Sequence, residues 1–570
     1  MGNTLAIGGN FNMGGAAGTN LELTAAMNLG AGANTLNHSG ASNDTLSGAI
    51  TGAATTGITV TAGTLNLTGN NAAYAGTSSV SGGTLNMQGA GNYAGKNNVT
   101  GGTLNMNSAA AITYSGDTVT GSGFTPGPGG TVNMSGALAT YSGNSTVTDG
   151  TLNLSAGNYT GGLTLGANGI FNFTGGTFVT AGTNINTAAG SSLTIAPGLN
   201  MNIGGAGFTL TNSGTTTVNG TLTGNLTNNA GSLVNGSGTI TGALINNGTV
   251  NPGNSPGTIT VGTYTVNPGG THVVEIASAS SYDKLITTAA GGITLNGGTL
   301  SPRLLGGYLP STNQVFSNIL QATGGGTVAG TFASIDNTRL GNSRTLFWQA
   351  NYYPTSIDLQ AVGNYTPADL TLSRNQRSVG NALNALAPST TSGDMLTVLD
   401  AINGLTTNAG VQAAYNDISP AKYAALPTMT MPVTHMQFQY LQNRLARERW
   451  EAELGSDVVS SGGGGFMRGF NFGYENNTKM LLAASNLTVS DAGTPLIRKG
   501  VEQRWGIYLE PTANWGTLSP TTNMVGYRYK NFGFTLGAEY WVMDNLLVGV
   551  NTGYSKTLAG VGGTGGDINA

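Results

Sequence analysis

The sequence predicts a mostly β protein: a right-handed parallel β-helix, a short helical linker and a partial antiparallel β-barrel at the C-terminus. Three observations predict this. A short unit recurs early in the chain, the hydrophobic period changes from 2 to 3.6 near residue 373, and an aromatic-rich alternation of period 2 returns after Gln503. The regions we expect are repeats in 1–250, a strand-rich segment in 251–362, helices in 363–455, and a linker with the first barrel strands in 456–570.

The repeat unit reads Tyr, a small residue, Gly, a polar stretch, Val, and then Gly-Thr-Leu-Asn followed by Leu or Met. The glycines that begin the Gly-Thr-Leu-Asn part of each unit are separated by 20, 19, 28, 20 and 19 residues. The interval of 28 residues, from Gly102 to Gly130, contains an insertion. Val119 precedes Gly130 by 11 positions, whereas the corresponding Val precedes Gly by 3 in the other copies, so we place 8 extra residues in 121–129. The copies are marked by Tyr74, Tyr93, Tyr114 and Tyr141, and by Gly63, Gly83, Gly102, Gly130, Gly150 and Gly169.

Each copy is predicted to form strands of one rung. Leu, Asn and Leu or Met alternate, so the apolar side chains share one face and Asn takes the other. Gly supplies a corner, and Val ends the preceding strand. A unit of this length cannot bury its own apolar face, so the copies must stack. We expect Val, Leu and Met to fill a narrow interior and the tyrosines to form an aromatic stack.

The composition fits this fold and excludes some functions. The chain has 570 residues, 94 of them Gly, with 7% charged residues, no Cys and a formal net charge of −4. No run of about 18 apolar residues predicts a membrane-spanning helix. Only five charged residues precede Glu275, so the basic surface that binds nucleic acid is absent and we expect no nucleic-acid partner. The five are Glu22, Asp44, Lys96, Asp117 and Asp149.

The last two regions differ in their hydrophobic period. From about residue 373 the spacing predicts helices, the last of them over 433–454. After Gln503, strands of about 10 residues with many aromatic side chains are typical of an outer-membrane β-barrel. The helical faces we expect are Val379, Leu383 and Leu386, then Leu396, Leu399 and Ile402; the barrel strands are marked by Ile507 and Leu509, by Phe532, Phe534 and Leu536, and by Val548, Val550 and Tyr554.

The order of these parts resembles an autotransporter of the type V secretion family. The Tyr-x-Gly and Gly-Thr-Leu copies are similar to the β-strand repeat of its passenger domains. The turn at 251–257 and the segment Tyr282-Asp283-Lys284-Leu285 are similar to the C-terminal passenger segment that templates folding. The stretch from Ile418 to Leu445 resembles the helical lead-in to the barrel, and 503–556 resembles its first strands.

The resemblance implies a function. The passenger would be displayed at the bacterial surface or secreted, in an adhesive or structural role and not as an enzyme. Implied partners are outer-membrane lipid, the barrel-assembly machinery, and a host or cell-surface glycan or protein. The C-terminal rungs would fold first outside the cell, and the others would stack onto them. An adhesin and a ligand-free stalk need the same rod, so both stay open.

Two features depart from the family pattern. The first residues, Met1 to Leu5, lie in repeat-like sequence without the basic and apolar regions of a signal peptide. The residues after Gln503 provide for three or four strands, whereas family barrels have twelve. We therefore expect a truncated translocator that cannot complete secretion by the family route, and a non-functional remnant is one alternative.

Three motifs resemble sites of chemistry but lack the required context. Gly253-Asn254-Ser255-Pro256-Gly257 matches a nucleophile pattern, but Pro256 opposes the strand-to-helix turn it needs. Residues 562–567 match the start of a calcium-binding repeat only once, and 91–96 lack the Ser or Thr of a phosphate loop. We predict no catalytic, cofactor-binding or metal-binding residues, and no cofactor.

The remaining candidates are polar side chains. His38, His272 and His435 fall in different regions, which argues against a shared metal or catalytic site. The alternative of a β-helix polysaccharide lyase or hydrolase needs clustered carboxylates, which the early charges cannot supply. The repeated Asn is expected to form an outward ladder, and we favour a structural role for this ladder over a role in binding glycan. A basic group is expected either in the barrel lumen or on a solvated helix face. The ladder is Asn66, Asn86, Asn105, Asn133 and Asn153, and the basic group is Arg444, Arg447 and Arg449.

Overall fold

The computed structural model describes most of the chain. The described residues are 4–120, 129–180, 182–336, 339–420, short helical pieces between 435 and 446, 474–475, 479–480, 505–519, 526–543, 546–561 and 567–569. They fall into two compact units, 1–363 with 390–396, and 364–389 with 397–570, and each is described by itself.

The first unit is a parallel β-helix whose rungs have three faces. One face, the asparagine face, is a sheet of 15 parallel strands and carries the Gly-Thr-Leu-Asn copies. Its strands are Glu22–Leu23, Asn43–Leu46, Thr64–Leu67, Thr84–Met87, Thr103–Met106, Thr131–Met134, Thr151–Leu154, Ile170–Phe173, Ser192–Ile195, Thr215–Val218, Leu233–Gly236, Thr249–Pro252, Thr271–Ile276, Thr299–Leu304 and Ser334–Ile335.

The other two faces carry the Tyr and Val positions, and four long strands turn the corner between them. The tyrosine face holds Thr4–Ala6, Ala26–Asn28, Ile50–Thr51, Thr113–Tyr114, Thr140–Tyr141, Asn158–Tyr159, Thr177–Val179, Lys284–Thr287 and Val315–Ala322. The valine face holds Phe11–Met13, Thr35–His38, Gly57–Val60, Thr77–Val80, Asn97–Val99, Thr118–Thr120, Ser145–Val147, Leu163–Leu165, Ile185–Thr187, Ile293–Asn296 and Val328–Thr331. The long strands are Asn200–Asn212, Thr221–Asn228, Thr239–Asn246 and Thr258–Val266.

The register between rungs confirms the repeat alignment on the asparagine face. Leu85 lies opposite Leu65 and Leu104, and each of these side chains is fully buried. Gly83 has φ +67°, and a Cβ placed there would lie 2.5 Å from the carbonyl oxygen of Gly63. A side chain at this corner would therefore clash with the rung beneath, so Gly sets both the turn and the close stacking.

On the valine face, one predicted position is wrong by one residue. Thr120, not Val119, lies opposite both Val99 and Val147 and is fully buried, whereas Val119 is 40% exposed. The interior position comes six residues after the tyrosine in the other copies, and Thr120 is six residues after Tyr114. Counted from Thr120, the interval to Gly130 is 10 where other copies have 3, so 7 residues are inserted rather than 8.

The interior is continuous and contains the predicted aromatic stack. The rings of Tyr93, Tyr114 and Tyr141 are stacked with centroids 5.3 Å apart at each step. Tyr159 continues the pattern by stacking on Phe178 at 4.9 Å. Each such contact adds about 0.5 to 1.5 kcal/mol beyond the burial of the rings themselves.

The C-terminal end of the β-helix is closed by antiparallel strands. Leu346–Tyr352 and Ser356–Gly363 form a hairpin, and the second strand also pairs with Val315–Ala322. The ring of Phe316 contacts both Tyr282 and Trp348 edge-on beneath this pairing. The parallel coil therefore ends in a cap with its own aromatic cluster.

The structure describes three longer helices, two of which lie wholly in the second unit. They are Arg374–Leu386, Gly393–Asn403 and Asn408–Ile418, with a short 3-10 turn at Ala387–Ser389. Ser373 caps the first helix, since its hydroxyl accepts from the Gln376 backbone N–H while the Gln376 side chain accepts from the Ser373 N–H. Among the described residues, no helix is long and apolar enough to cross a bilayer.

One predicted helical face is wrong at its last position. Val379 and Leu383 are buried as expected, but Leu386 is 44% exposed and Ala387 is buried in its place. The buried residues are four positions apart, so the position that follows Leu383 on the buried face is 387, and Leu386 points away from it. Leu399 and Ile402 are buried, and Leu396 is half-buried.

The second unit also contains an antiparallel sheet of four strands. The strands are Trp505–Leu518, Tyr527–Met543, Leu546–Val561 and Asp567–Asn569, and each pairs with the next. The first three have 14, 17 and 16 residues, longer than the predicted 10 or so. About 10 residues are enough for a tilted strand to span the apolar part of a bilayer, and strands of 14 to 17 residues extend beyond that length. Two further short strands, Tyr474–Glu475 and Lys479–Met480, pair with each other and form a separate two-stranded sheet.

Candidate functional site

The asparagine face carries a continuous ladder of side-chain amides. Each Nδ2 donates to the Oδ1 of the asparagine one rung before, at 2.6 to 2.9 Å. Each carbonyl oxygen except the last is therefore already used, and the amides from Asn86 to Asn172 each keep one N–H for other partners, whereas Asn66 also donates to the Asp44 carbonyl oxygen. The ladder runs through Asn43, Asn66, Asn86, Asn105, Asn133, Asn153 and Asn172.

This ladder confirms the predicted outward stacking of asparagine. A row of threonines, among them Thr84 and Thr103, lies two residues before the amides on the same outer face. The outer surface of these rungs is thus polar and uncharged. It offers hydroxyls and single amide protons at the regular strand spacing of about 4.8 Å.

A second polar ladder lies inside the later rungs. The Asn212 amide donates to Asn228 at 2.8 Å, and Asn228 donates to Asn246 at 3.0 Å, with all three side chains fully buried. The Asn246 amide donates to the Tyr264 hydroxyl at 3.4 Å, and that hydroxyl lies 3.1 Å from Nδ1 of His272. Burial lowers the pKa of His272 to about 3, so its ring is neutral at ordinary pH.

The first rungs contain a buried histidine–aspartate pair that the sequence did not reveal. His38 Nε2 lies 3.2 Å from Asp44 Oδ2, and His38 Nδ1 lies 2.8 Å from the Ala62 carbonyl oxygen. Ser42 donates to the same Asp44 oxygen at 2.9 Å. All three side chains are buried at 0 to 1% exposure, so the cluster is internal. His38 occupies the Val position of its rung, and this register was the signal that could have revealed it.

The nucleophile-like motif lacks the strand-to-helix turn that a catalytic serine of this pattern needs. Ser255 is followed by the strand Thr258–Val266 and not by a helix. The turn is held by Asp283, whose two carboxylate oxygens accept from the backbone N–H groups of Gly257 and Glu275 at 2.8 Å. Burial and the nearby Glu275 carboxylate raise the pKa of Asp283 to about 7, against the effect of these two hydrogen bonds. This carboxylate fixes the turn.

The other sequence candidates are not brought together. His435 lies on a helical piece, exposed, beside Gln439, while His38 and His272 are on separate β-helix rungs. In the 91–96 motif, Tyr93 is part of the interior stack. Within the described ranges, no three His, Cys, Asp or Glu side chains could share a metal ion. The groups outside the described residues are Arg444, Arg447 and Arg449, and residues 562–566 of the calcium-like motif.

The C-terminal sheet has an outer face that is apolar. Along Tyr527–Met543, Phe532, Phe534 and Leu536 are 49%, 42% and 41% exposed. Tyr554 of the next strand lies opposite Phe534, and their ring centroids are 6.2 Å apart. Neighbouring outward positions on the other strands are also apolar: Ile507, Leu509, Val548 and Val550, between 54% and 74% exposed.

The opposite face of the same strands is polar and buried. Asn531 and Thr535 are 3% and 7% exposed and alternate with the outward aromatic residues. Tyr527 and Tyr529 are on this inner face as well, at 5% and 8%. An apolar exposed face and a polar buried face are the arrangement of a β-barrel wall in lipid.

The height of the apolar band matches a membrane. It extends from Phe532 to Val542, which is ten residue-to-residue steps along the strand. At about 3.4 Å per residue and a tilt of about 40°, this is roughly 26 Å along the membrane normal. Outer-membrane barrels have an apolar band about 25 Å tall, so these strands have the length and polarity to cross an outer membrane.

Comparison with known families agrees with this geometry. Residues 507–570 match the family model described as the autotransporter β-domain. A comparison with curated proteins finds no match. The matched residues are those of the sheet whose apolar side faces outward, and the strands before them form long parallel sheets. Residues 507–570 are therefore an autotransporter β-domain of the outer-membrane barrel type, and the strands before them form a parallel β-helix like that of an autotransporter passenger.

Proposed function

We propose that this protein displays its β-helix at the bacterial surface as an adhesive or structural rod. The observation that carries the proposal is the reversed polarity of the sheet at 505–561 together with its family match. A sheet of this kind anchors in the outer membrane, and the passenger of such a protein lies outside the cell. The assembly partners we propose are outer-membrane lipid and the barrel-assembly machinery.

The surface of the rod supports an adhesive or structural role over an enzymatic one. An enzyme acting on polysaccharide needs at least two carboxylates on one accessible surface. Of the five charged residues before Glu275, Asp44 is buried against His38, and Glu22 faces outward on the neighbouring rung. The outer face instead offers Thr hydroxyls and amide protons. A glycan or a protein with many hydroxyl or carbonyl groups is the partner that this chemistry fits.

The segment 251–362 is proposed to template the folding of the passenger. It contains the antiparallel cap, the aromatic contacts of Phe316, and the turn held by Asp283. These contacts do not need an earlier rung to be in place, whereas each repeat rung needs a neighbour to bury its apolar face. We therefore keep the four regions 1–250, 251–362, 363–455 and 456–570 as functional divisions.

Surface display is tested with protease on intact cells. The passenger has few Lys and Arg residues, so the protease must have broad specificity. We expect digestion of the passenger to require long exposure, and a chain lacking residues 251–362 to be digested quickly. Equal resistance of the two chains would contradict the templating role. A passenger digested only after the cells are lysed would contradict surface display.

A further inference from the structure

The outward face of the C-terminal sheet carries three cations just beyond one end of its apolar band. Arg528 and Lys530 precede Phe532 on the same strand, and Lys556 lies directly opposite Phe532 on the next strand. All three side chains are exposed. They lie on the outward face because they share the alternation of Phe532 and Phe534.

Register places the three cations close to one another. Lys530 pairs with Leu558, so Lys556 is its diagonal neighbour across the strands. Diagonal neighbours on one face are about 7 to 8 Å apart, and residues two apart along a strand are about 7 Å apart. Like charges at this spacing repel each other in water, and an anion placed among them removes that cost.

The three long strands of this face offer them no carboxylate; on the fourth strand, Asp567 pairs with Gly560, which lies opposite Arg528. The outward positions of Trp505–Leu518, Tyr527–Met543 and Leu546–Val561 contain no Asp or Glu, and the described carboxylate of Glu539 lies on the other face. The three long strands therefore give this patch three cations and no carboxylate, so its positive charge exceeds what a single aspartate could neutralise.

The connections between strands indicate which side of the membrane the patch faces. Two residues separate Met543 from Leu546, at the end of the band away from the cations. Eight residues separate Leu518 from Tyr527, at the end where the cations lie. Outer-membrane barrels have short turns on the periplasmic side and longer loops outside. The cations thus face the outer leaflet.

We propose that Arg528, Lys530 and Lys556 bind the phosphate groups of an anionic lipid in that outer leaflet. The inference rests on the membrane role proposed above, since only a sheet in the membrane brings this face to lipid. Arg presents paired donors that match phosphate, and the two Lys side chains add point charges at the same level. Trp515, 53% exposed and opposite Lys530, lies at the level where indole rings favour the membrane interface.

The test measures binding of the full chain to three kinds of vesicle. One is phosphatidylcholine alone, one has part of it replaced by a diphosphorylated lipid, and one contains oleate at equal charge. A basic residue at an anionic surface contributes about 1 kcal/mol, about fivefold in affinity. We expect a preference of roughly 100-fold for the phosphorylated vesicles over phosphatidylcholine, and a smaller one for oleate.

Variants assign the preference to the patch. Arg528→Gln with Lys530→Gln and Lys556→Gln should bind phosphorylated and neutral vesicles alike. The matched control, Lys284→Gln with Arg303→Gln and Arg339→Gln, removes three cations from the β-helix and should keep the preference. Lys530→Arg with Lys556→Arg should also keep it, because the charges remain.

The outcomes separate this inference from the proposed function. A chain that does not bind phosphatidylcholine vesicles contradicts the membrane role itself. A chain that binds them but gains nothing from phosphorylated lipid contradicts the patch alone. Equal gains with oleate reduce the patch to general charge attraction and overturn phosphate recognition. A preference that survives the triple Gln variant shows that other residues bind the lipid.

Discussion

The β-helix and the C-terminal sheet use the same alternation of side chains with opposite polarity. On the asparagine face, Leu85 is buried and Asn86 is half-exposed on the outside. On the C-terminal sheet, Phe534 is 42% exposed and Thr535 is 7% exposed. Alternation alone therefore specifies a strand with two different faces, and the solvent decides which face is turned outward. One region is built for water and the other for lipid.

The largest effect in this comparison is expected from removing buried aliphatic groups. Leu104→Ala in the β-helix should lower the free energy of opening its rung by about 2 to 5 kcal/mol, because the side chain is fully buried and its removal leaves a cavity. Native-state hydrogen exchange of the amides in 84–106 measures this. Leu536→Ala on the lipid-facing side should leave the sheet assembled in the membrane. An equal loss of stability from the two substitutions would contradict the claim that Leu104 lies in a packed core and Leu536 faces lipid.

A charge on each outward face sharpens the contrast. Leu536→Arg should destabilise the assembled sheet by about 2 to 4 kcal/mol, because position 536 lies near the middle of the apolar band. Thr103→Arg on the β-helix should change stability by only about 0.5 kcal/mol, since that side chain faces water. Urea titration of each folded region gives both values. Tolerance of Arg at 536 would mean that lipid does not cover this face.

The interior of the later rungs makes a pH prediction. The folded-state pKa of His272 is about 3, below the unfolded value of 6.5, so the unfolded chain takes up a proton first as pH falls. The free energy of unfolding is therefore unaffected by this group above pH 6.5, and it falls by about 1.4 kcal/mol for each pH unit between pH 6.5 and pH 3. Asp283 acts in the opposite direction between about pH 4 and 7, because its folded pKa is raised to about 7.

The comparison of wild type with His272→Phe isolates the histidine contribution. Chemical denaturation of the two chains at pH 6.5 and pH 4.5 should show the wild type losing roughly 2 kcal/mol more than the variant. Asp283 contributes equally to both chains and cancels in the difference. Identical pH dependence of the two chains would mean that His272 does not titrate differently on unfolding.

The smallest effect is expected from the outer amide ladder. Asn105→Ala removes one hydrogen bond to Asn86 and one from Asn133, and water replaces part of what is lost. We expect a local loss of about 0.5 to 1.5 kcal/mol, measured by hydrogen exchange in the adjoining rungs. Thr103→Ala, on the same strand, is the control and should cost less. A loss as large as that of Leu104→Ala would make the ladder, and not the core, the main support of the rod.

Much of the β-helix was predictable because its repeat fixes the register. Once Leu85, Leu104 and Leu152 are aligned, the buried face, the outer asparagines and the tyrosine stack follow from stacking alone. The error at Val119 arose where inserted Gly and Pro residues interrupt the pattern, and the apolar residue was chosen over the polar Thr120. Counting six residues from Tyr114 gives the right position, because the distance around a corner is more constant than residue type.

The buried polar groups were harder to predict, because residue type argues against them. His38 and Asp44 are types that usually face water, and only their places in the repeat mark them as interior. The cationic patch depends on pairing across strands, since Lys556 is 26 positions from Lys530 in the sequence. The polarity of the C-terminal sheet was readable from its alternation, and its strands are longer than the sequence pattern indicated.

The most direct test of the two-solvent account uses single cysteines, because the natural chain has none. Thr103→Cys and Val550→Cys are placed on the outer faces of the β-helix and of the C-terminal sheet and treated on intact cells with maleimides. We expect Thr103→Cys to react with a membrane-impermeant reagent, and Val550→Cys to react only with a lipid-soluble one. Ready reaction of Val550→Cys with the impermeant reagent, or protection of Thr103→Cys until lysis, would contradict the account.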